Sequence, residues 1–364
     1  MFKSKTHFWT VQILLVLLII FVSTKVSFLF EPIIMFASTL FFPVLIAGIL
    51  YFIFNPVVRL LEKKLPRTLS ILLIYLAFLA LIGFVLSSIG PMFTKQVTDL
   101  FNNIPEIVKQ IQIFIKQLSN SQWFTWMMNQ DFVSVSRSIG DFLTNLPENI
   151  TASLSSVFGV VTNLALIALT VPFILFYMLK DGHRFPNLAV KILPDQYKNE
   201  GLKIFKDLYD TLAAYIQGQL IVCLFVGIGC YIGFLIAGVK YALILGVIMT
   251  VTNIIPYVGP FLGATPAVII AFLDSPTKAL IAVIVVVVVQ QIDGNLVSPL
   301  IIGKRLNTHP LTIILLLLGA GSFGGVLGMI LAVPTYAVLK AFTLNIVRLV
   351  RLRQRSKKEM TKEA

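Results

Sequence analysis

Thr250-Val-Thr-Asn-Ile-Ile-Pro-Tyr-Val-Gly-Pro260 is the stretch on which the interpretation of this chain depends. It stands in strongly apolar sequence, yet it combines helix-breaking residues with amide and hydroxyl side chains. In hydrocarbon every unsatisfied backbone group is costly, so irregular backbone persists only where protein buries it or where it borders a wet cavity. The stretch therefore predicts a binding site or a pathway inside a membrane protein.

The composition predicts several membrane-spanning helices. Of the 364 residues, 57% are hydrophobic and 12% are charged, whereas a soluble domain carries about 25% charged residues. The formal net charge is +13, but the basic residues cluster beside apolar segments, as the positive-inside rule describes, so we expect no nucleic-acid partner. The two cysteines and three histidines lack metal-ligand spacing, and we expect no metal and no cofactor.

The order of apolar segments predicts an all-α polytopic protein in the lipid bilayer, with about six full spans, two broken helical hairpins and cytoplasmic termini. A turn at Glu31-Pro32 separates the first two spans. The predicted units are 1–90 with spans 1 to 3, 91–150 as an extracytoplasmic amphipathic helical segment, 151–182 with span 4, 183–211 as a cytoplasmic amphipathic segment, 212–347 as a C-terminal transport core, and 348–364 as a basic cytoplasmic tail.

Segment 91–150 has apolar residues at three-and-four spacing, which is typical of an amphipathic helix. The first interpretation is packing on the membrane surface or on neighbouring spans. The alternative is an oligomer contact or a lid, and the sequence leaves a homo-oligomer open.

Charge and parity place the two hairpins in the transport core. Span 5 ends outside and the basic tail lies inside. If the broken blocks 241–272 and 311–347 are hairpins that each enter and leave on one side, only the block 278–297 between them crosses. The first hairpin then enters from outside with its tip at Asn253 to Pro266, and the second enters from inside with its tip at Gly319 to Gly325. Such opposed broken elements are similar to the inverted repeats of secondary transporters. Parity leaves open whether the hairpins cross fully. The predicted breaking residues are Pro256, Gly259, Pro260, Pro266, Pro299, Gly319, Gly321, Gly324 and Gly325.

Asp293 is the strongest candidate for a functional side chain. It follows an aliphatic run and has Gln290, Gln291 and Asn295 as neighbours. Ionisable groups at membrane depth usually face a cavity, so a proton or a cation could occupy this carboxylate in turn. The alternative is that Asp293 caps the next segment at the cytoplasmic mouth.

Polar residues beside Pro256 are the second candidate group. The proline removes one helix hydrogen bond and should free a carbonyl at or near Thr252. Together with the side chains of Thr250, Thr252 and Asn253, such a carbonyl could coordinate sodium or bind a polyol. A structural kink satisfied by neighbouring hydroxyls is an equal alternative. Gln217 is a weaker pathway candidate, because glutamines often only join helices.

Several motifs resemble the AI-2E family of bacterial membrane proteins, a family of predicted autoinducer-2 exporters. They are Asn253-Ile-Ile-Pro-Tyr-Val-Gly-Pro260, Gln290-Gln-Ile-Asp293-Gly-Asn295 and Val297-Ser-Pro299. The resemblance covers nearly the whole chain and implies a multi-pass inner-membrane permease. We expect a small polar solute as its cargo, and a cation or proton gradient could drive transport through Asp293. It leaves the substrate open, since some members are associated with autoinducer-2 and others with Na⁺(Li⁺)/H⁺ antiport.

Other classes of function are less well supported by the sequence. It has no HExxH motif, no P-loop and no local Ser/His/Asp set, so we do not expect an enzyme. A non-transporting membrane scaffold or envelope-biogenesis factor is the alternative of a different class. It predicts sensitivity to substitution in 91–150 and tolerance at Asn253 and Asp293.

Overall fold

The computed structural model describes residues 5–25, 27–119, 169–301 and 308–363. Within these residues every regular element is helical, which confirms the all-α class. The helices are α1 Lys5–Lys25, α2 Ser27–Leu61, α3 Arg67–Ser119, α4 169–181, α5 Phe185–Val190, α6 Lys198–Ile236, α7 Ala242–Thr252, α8 Val258–Asp274, α9 Pro276–Ile292, a π-helical turn Asp293–Val297, α10 Ser298–Ile301 and α11 Pro310–Glu363.

Among the described residues, five helical segments are long and apolar enough to cross a membrane. They are Ser38–Leu61, Arg67–Ile111, Lys198–Ile236, Pro276–Ile301 and Pro310–Val347. Their outward faces carry large exposed hydrophobic side chains, such as Leu86 and Phe84. A surface of this kind is suited to lipid rather than water, in agreement with a multi-pass membrane protein.

One turn predicted in the N-terminal half is absent from the structure, and two predicted segments are joined in one helix. Helix α2 continues through Pro32, so the predicted turn at Glu31-Pro32 is wrong. Helix α3 also continues through Pro91, which joins the third span and the amphipathic segment into one helix of 53 residues. Membrane helices tolerate proline when neighbouring groups satisfy the freed backbone. Residues 120–150 and most of span 4 lie outside the described residues.

Helices α2, α3 and α4 form an N-terminal bundle around Ala47, Ile71 and Leu179. Arg67 fixes one end of it: Nε donates to the Leu179 carbonyl at 2.8 Å, and Nη1 lies 2.9 Å from Glu62 Oε2. The loop between α2 and α3 therefore lies beside the C-terminal end of α4. The loop therefore stands on the same side of the bundle as the start of segment 183–211, which the sequence predicts to be cytoplasmic.

The C-terminal core is built on α6, which has 39 residues and joins the end of segment 183–211 to the fifth span without a break. Helices α6 to α9 pack around Val226, Phe234, Leu245 and other buried apolar residues. The α6 and α7 backbones approach closely, because a Cβ on Gly246 would stand 3.1 Å from the Gly227 carbonyl oxygen. Small residues permit such contacts between membrane helices.

Hairpin 1 consists of α7 and α8, with 11 and 17 residues. Both arms are shorter than the roughly 20 residues that cross a bilayer. Its base is closed by a 3.1 Å ion pair between Lys240 Nζ and Asp274 Oδ1, so the hairpin begins and ends on one side.

The tip of hairpin 1 is shorter than predicted and occupies 253–257. Tyr257, with φ 62°, reverses the chain. Pro260 and Pro266 lie inside α8, and Pro260 stands in its first turn, where a missing N–H leaves no helix bond unmade.

Hairpin 2 is formed by α11, which bends at Gly325 (φ 57°, ψ −144°) into arms 310–324 and 326–363. The arms touch, because a Cβ on Gly321 would stand 2.6 Å from Met329 Cε. Lys340 Nζ donates to Thr308 Oγ1 at 3.2 Å, so this hairpin also begins and ends on one side. Gly325 is the breaking residue, whereas Gly319 and Gly324 lie within the first arm without close neighbours.

The two hairpins enter from opposite ends of α6. Asp207, near the start of α6, lines a 380 Å³ pocket together with Lys340 of hairpin 2. The base of hairpin 1 follows directly after Ile236, the last residue of α6. The 29 residues between Asp207 and Ile236 rise by about 44 Å, which exceeds the ~30 Å hydrocarbon thickness. The opposed arrangement agrees with the parity argument.

Candidate functional site

The tip of hairpin 1 packs against both hairpin 2 and α6. Ile255 of the tip, Leu317 and Val333 of hairpin 2 and Tyr215 of α6 form one buried cluster. Next to this cluster lies a cleft of about 690 Å³, bounded by α6, the tip, the end of α9 and hairpin 2. Its size falls within the range typical of ligand sites.

The cleft brings together six residues that the sequence singled out. Asn253, Pro256 and Pro260 come from hairpin 1, and Gln290, Gln291 and Asp293 come from α9 and the turn that follows it. All six line the cleft. The hydrogen-bonding groups thus lie where hairpin 1 meets hairpin 2. Most of the remaining lining residues are aliphatic, including Val268, Val283, Val286 and Val287.

Asp293 opens the π-helical turn, inside the apolar segment Pro276–Ile301. Its carboxylate is partly buried and accepts a hydrogen bond from Ser298 Oγ at 2.8 Å. Turns of this type often occur at functional sites, because the extra residue redirects side chains. The carboxylate keeps three of its roughly four lone-pair positions for another partner.

Asn253 is the most deeply buried of the predicted polar residues, at 4% exposure. The backbone carbonyl oxygen of Asn253 accepts a hydrogen bond from Gln219 Nε2 at 2.8 Å. The carbonyl expected to be free at Thr252 is occupied, because Ile255 N donates to it at 3.0 Å. That expectation is therefore wrong. Pro256 has no N–H to donate to the carbonyl four residues earlier, and the N–H of Ile255, three residues after Thr252, donates to that carbonyl instead.

Four predicted pathway residues lie outside the cleft lining. Thr250 Oγ1 donates to the Gly246 carbonyl and Thr252 Oγ1 donates to the Ile248 carbonyl, both within α7. Gln217 Nε2 donates to the Phe52 carbonyl at 2.6 Å and so joins α6 to α2, while Asn295 bonds Gln291 on an exposed face.

Sequence reasoning missed or set aside two polar residues of α6 that line the cleft. They are Tyr215 and Gln219. Their four-residue spacing places them on one face of the helix, and this spacing is the signal that could have identified them. Tyr215 is 5% exposed.

Comparison with known proteins shows which family model this chain matches and which proteins it is similar to. The family model described as AI-2E family transporter matches residues 13–348. "Putative transport protein YueF" of Bacillus subtilis (strain 168) is 75% identical over 99% of this chain and 98% of its own length. "Putative transport protein YrrI" of the same organism is 37% identical over 94% of this chain and 96% of its own. "Putative permease PerM" of Escherichia coli (strain K12) is 28% identical over 85% and 88%.

Proposed function

The chain belongs to the AI-2E transporter family, and from that premise we propose that it is a secondary permease of the bacterial inner membrane. It moves a small polar solute, such as autoinducer-2, out of the cell by alternating access at the cleft. The observation that carries the proposal is the meeting of two hairpins, rooted at opposite ends of α6, beside one cleft. Movement at either hairpin would open the cleft to a different side.

The charge of the cleft restricts the solute. Among the described lining residues, Asp293 is the one carboxylate and no side chain is basic. A negative group in aliphatic surroundings repels anions, since electrostatic interactions are weakly screened there. Neutral or cationic solutes therefore suit the cleft.

Na⁺(Li⁺)/H⁺ antiport is the second candidate function, and the Asp293–Ser298 pair favours it. A carboxylate and a hydroxyl offer the oxygen ligands that hard cations prefer, and the two side chains already meet at 2.8 Å. Asp293 would then bind a cation and a proton in alternation.

The test is flux into and out of proteoliposomes, measured separately for autoinducer-2, sodium and lithium. Asp293→Asn should lower the flux of the true cargo, because the amide removes the charge but still accepts the Ser298 hydrogen bond. Asp195→Asn is a matched control, since the Asp195 side chain is 94% exposed and stands in a short 3-10 helix that does not line the cleft. Wild-type flux in the Asp293 variant would remove this carboxylate from the mechanism.

A scaffold without transport activity predicts a different pattern. Alanine substitutions in 91–119 would then disturb partner pull-down, and substitutions of Asn253 and Asp293 would be tolerated. Scoring the same variants for both flux and pull-down separates the two classes of function.

A further inference from the structure

Two buried polar atoms of the cleft have no hydrogen-bond partner within the described part of the chain. They are the Tyr215 hydroxyl and the Gln290 amide nitrogen Nε2. Both residues line the cleft. Buried polar atoms without a partner are uncommon in proteins, because each loses its bonds to water and gains nothing in exchange.

The surrounding structure holds these two atoms in place. The Tyr215 side chain is enclosed by Ile255, Leu317 and Val333. Two other polar side chains of the cleft are already engaged: Gln219 donates to the Asn253 backbone carbonyl, and Ser298 donates to Asp293. The Tyr215 hydroxyl and the Gln290 amide have no such partner among the described residues, and both residues line the cleft, so a solute in the cleft can supply the acceptor.

We infer that the Tyr215 hydroxyl and the Gln290 amide are the donors that recognise the cargo. This inference rests on the proposed permease function and states which chemistry the cargo presents. The bound solute is uncharged, places a carbonyl, ether or hydroxyl oxygen against Tyr215 and Gln290, and directs a hydroxyl donor toward Asp293. A site with buried donors discriminates strongly against analogues that lack the matching oxygen.

The experiment compares Tyr215→Phe and Gln290→Met with the matched control Tyr75→Phe. The Tyr75 hydroxyl donates to the Pro172 carbonyl at 2.7 Å, away from the cleft. For each purified protein we measure the thermal unfolding midpoint without solute. We then measure binding of autoinducer-2, of the neutral polyol erythritol and of its anionic relative erythronate by calorimetry.

Tyr215→Phe should leave the unfolding midpoint unchanged or raised, because it removes a hydroxyl that has no partner among the described residues. The same change should weaken binding of the neutral probes about three- to tenfold, the equivalent of one net hydrogen bond. Gln290→Met should weaken binding to a similar degree. Tyr75→Phe should lower the midpoint and leave binding unchanged, and erythronate should bind more weakly than erythritol.

A lower midpoint with unchanged binding in Tyr215→Phe would overturn the inference, since the hydroxyl would then have a structural partner. Failure of the wild-type protein to bind either neutral probe would overturn it as well. If the wild type binds the neutral probes through Tyr215 but transports nothing, the inference stands and the permease function fails. If wild type and Tyr215→Phe transport equally well, the permease function stands and the inference fails.

Discussion

The sharpest structural prediction concerns Gly259, in the first turn of α8 next to the tip of hairpin 1. A Cβ at this position would stand 2.5 Å from the Thr252 carbonyl carbon and 2.8 Å from Asn253 Cα, and closer still to the Thr252 oxygen. Ordinary contact begins at 3.4 Å, so Gly259→Ala requires a displacement of at least about 0.9 Å, the difference between 3.4 and 2.5 Å. The opposing atoms are all backbone and cannot rotate aside, and the start of α8 must move away from the end of α7.

The displacement has an energetic and a functional consequence. Overpacking of this kind costs about 1–3 kcal/mol, and loss of the Gln219 bond to the Asn253 carbonyl adds about 1 kcal/mol. Asn253 and Pro256, which line the cleft, move with the tip. We expect a lower unfolding midpoint and a flux at least about tenfold lower, since 1.4 kcal/mol in an activation free energy corresponds to tenfold in rate.

The assay is thermal unfolding of the purified protein together with proteoliposome flux of its cargo. Gly324→Ala is the matched control: the same exchange in hairpin 2, at a glycine with no heavy atom within 4 Å of the added Cβ. Alanine stabilises a helix relative to glycine, so the control should keep or raise the midpoint. A folded Gly259→Ala protein with wild-type midpoint and wild-type flux would refute the close approach at the tip and the cleft geometry derived from it.

Three further predictions follow from the same contacts. In Gly328→Ala the new Cβ would stand 2.9 Å from the Ala320 carbonyl carbon; we expect the arms of hairpin 2 to separate and the unfolding midpoint to fall, whereas an unchanged midpoint would contradict the contact. In Asp293→Asn, cargo flux should lose its dependence on an imposed cation or proton gradient, and a preserved dependence would exclude Asp293 as the coupling group. In the base of hairpin 1, hydrogen bonds from Lys278 and Lys240 hold the pKa of Asp274 below its usual value. The ionised carboxylate therefore stabilises the fold above the unfolded pKa of about 4, and this contribution is lost as pH falls through the lower folded pKa. Asp274→Asn should lower the midpoint at pH 7, and the difference from wild type should vanish in acid; a difference independent of pH would exclude the ion pairs as its cause.

The sequence was sufficient to predict where the hairpins lie, because charge and helix-breaking residues are local signals. The asymmetry of basic residues predicts which blocks cross, and the stretch Gly319 to Gly325 predicts the second reversal, which the structure places at Gly325 with its positive φ. The same local rules mispredicted Pro32. Proline removes one hydrogen bond wherever it stands, but whether the helix ends depends on neighbouring helices and lipid, which no local pattern records.

The polar side chains of the cleft were only partly predictable for a related reason. Thr250 and Thr252 stand in the same motif as Asn253, yet their hydroxyls return to carbonyls of their own helix. Tyr215 stands in a long, mostly apolar helix, and its proposed role depends on a hydroxyl that packing leaves without a partner among the described residues. Sequence spacing shows which residues share a helix face, whereas a missing partner is a property of the assembled fold.

The contacts of α6 differ between the two hairpins, and this difference bears on how the cleft opens. Hairpin 1 meets α6 backbone to backbone at Gly227 and Gly246, whereas hairpin 2 meets it through the Leu317 and Val333 side chains. Close backbone packing resists sliding, while apolar side-chain contacts can break and form again at little cost. Hairpin 1 and α6 should therefore move as one body, and hairpin 2 should supply the main displacement. Gly328→Ala disturbs hairpin 2 alone. For each degree by which the unfolding midpoint falls, it should therefore reduce flux more than Gly259→Ala does. The opposite ranking would assign the moving part to hairpin 1.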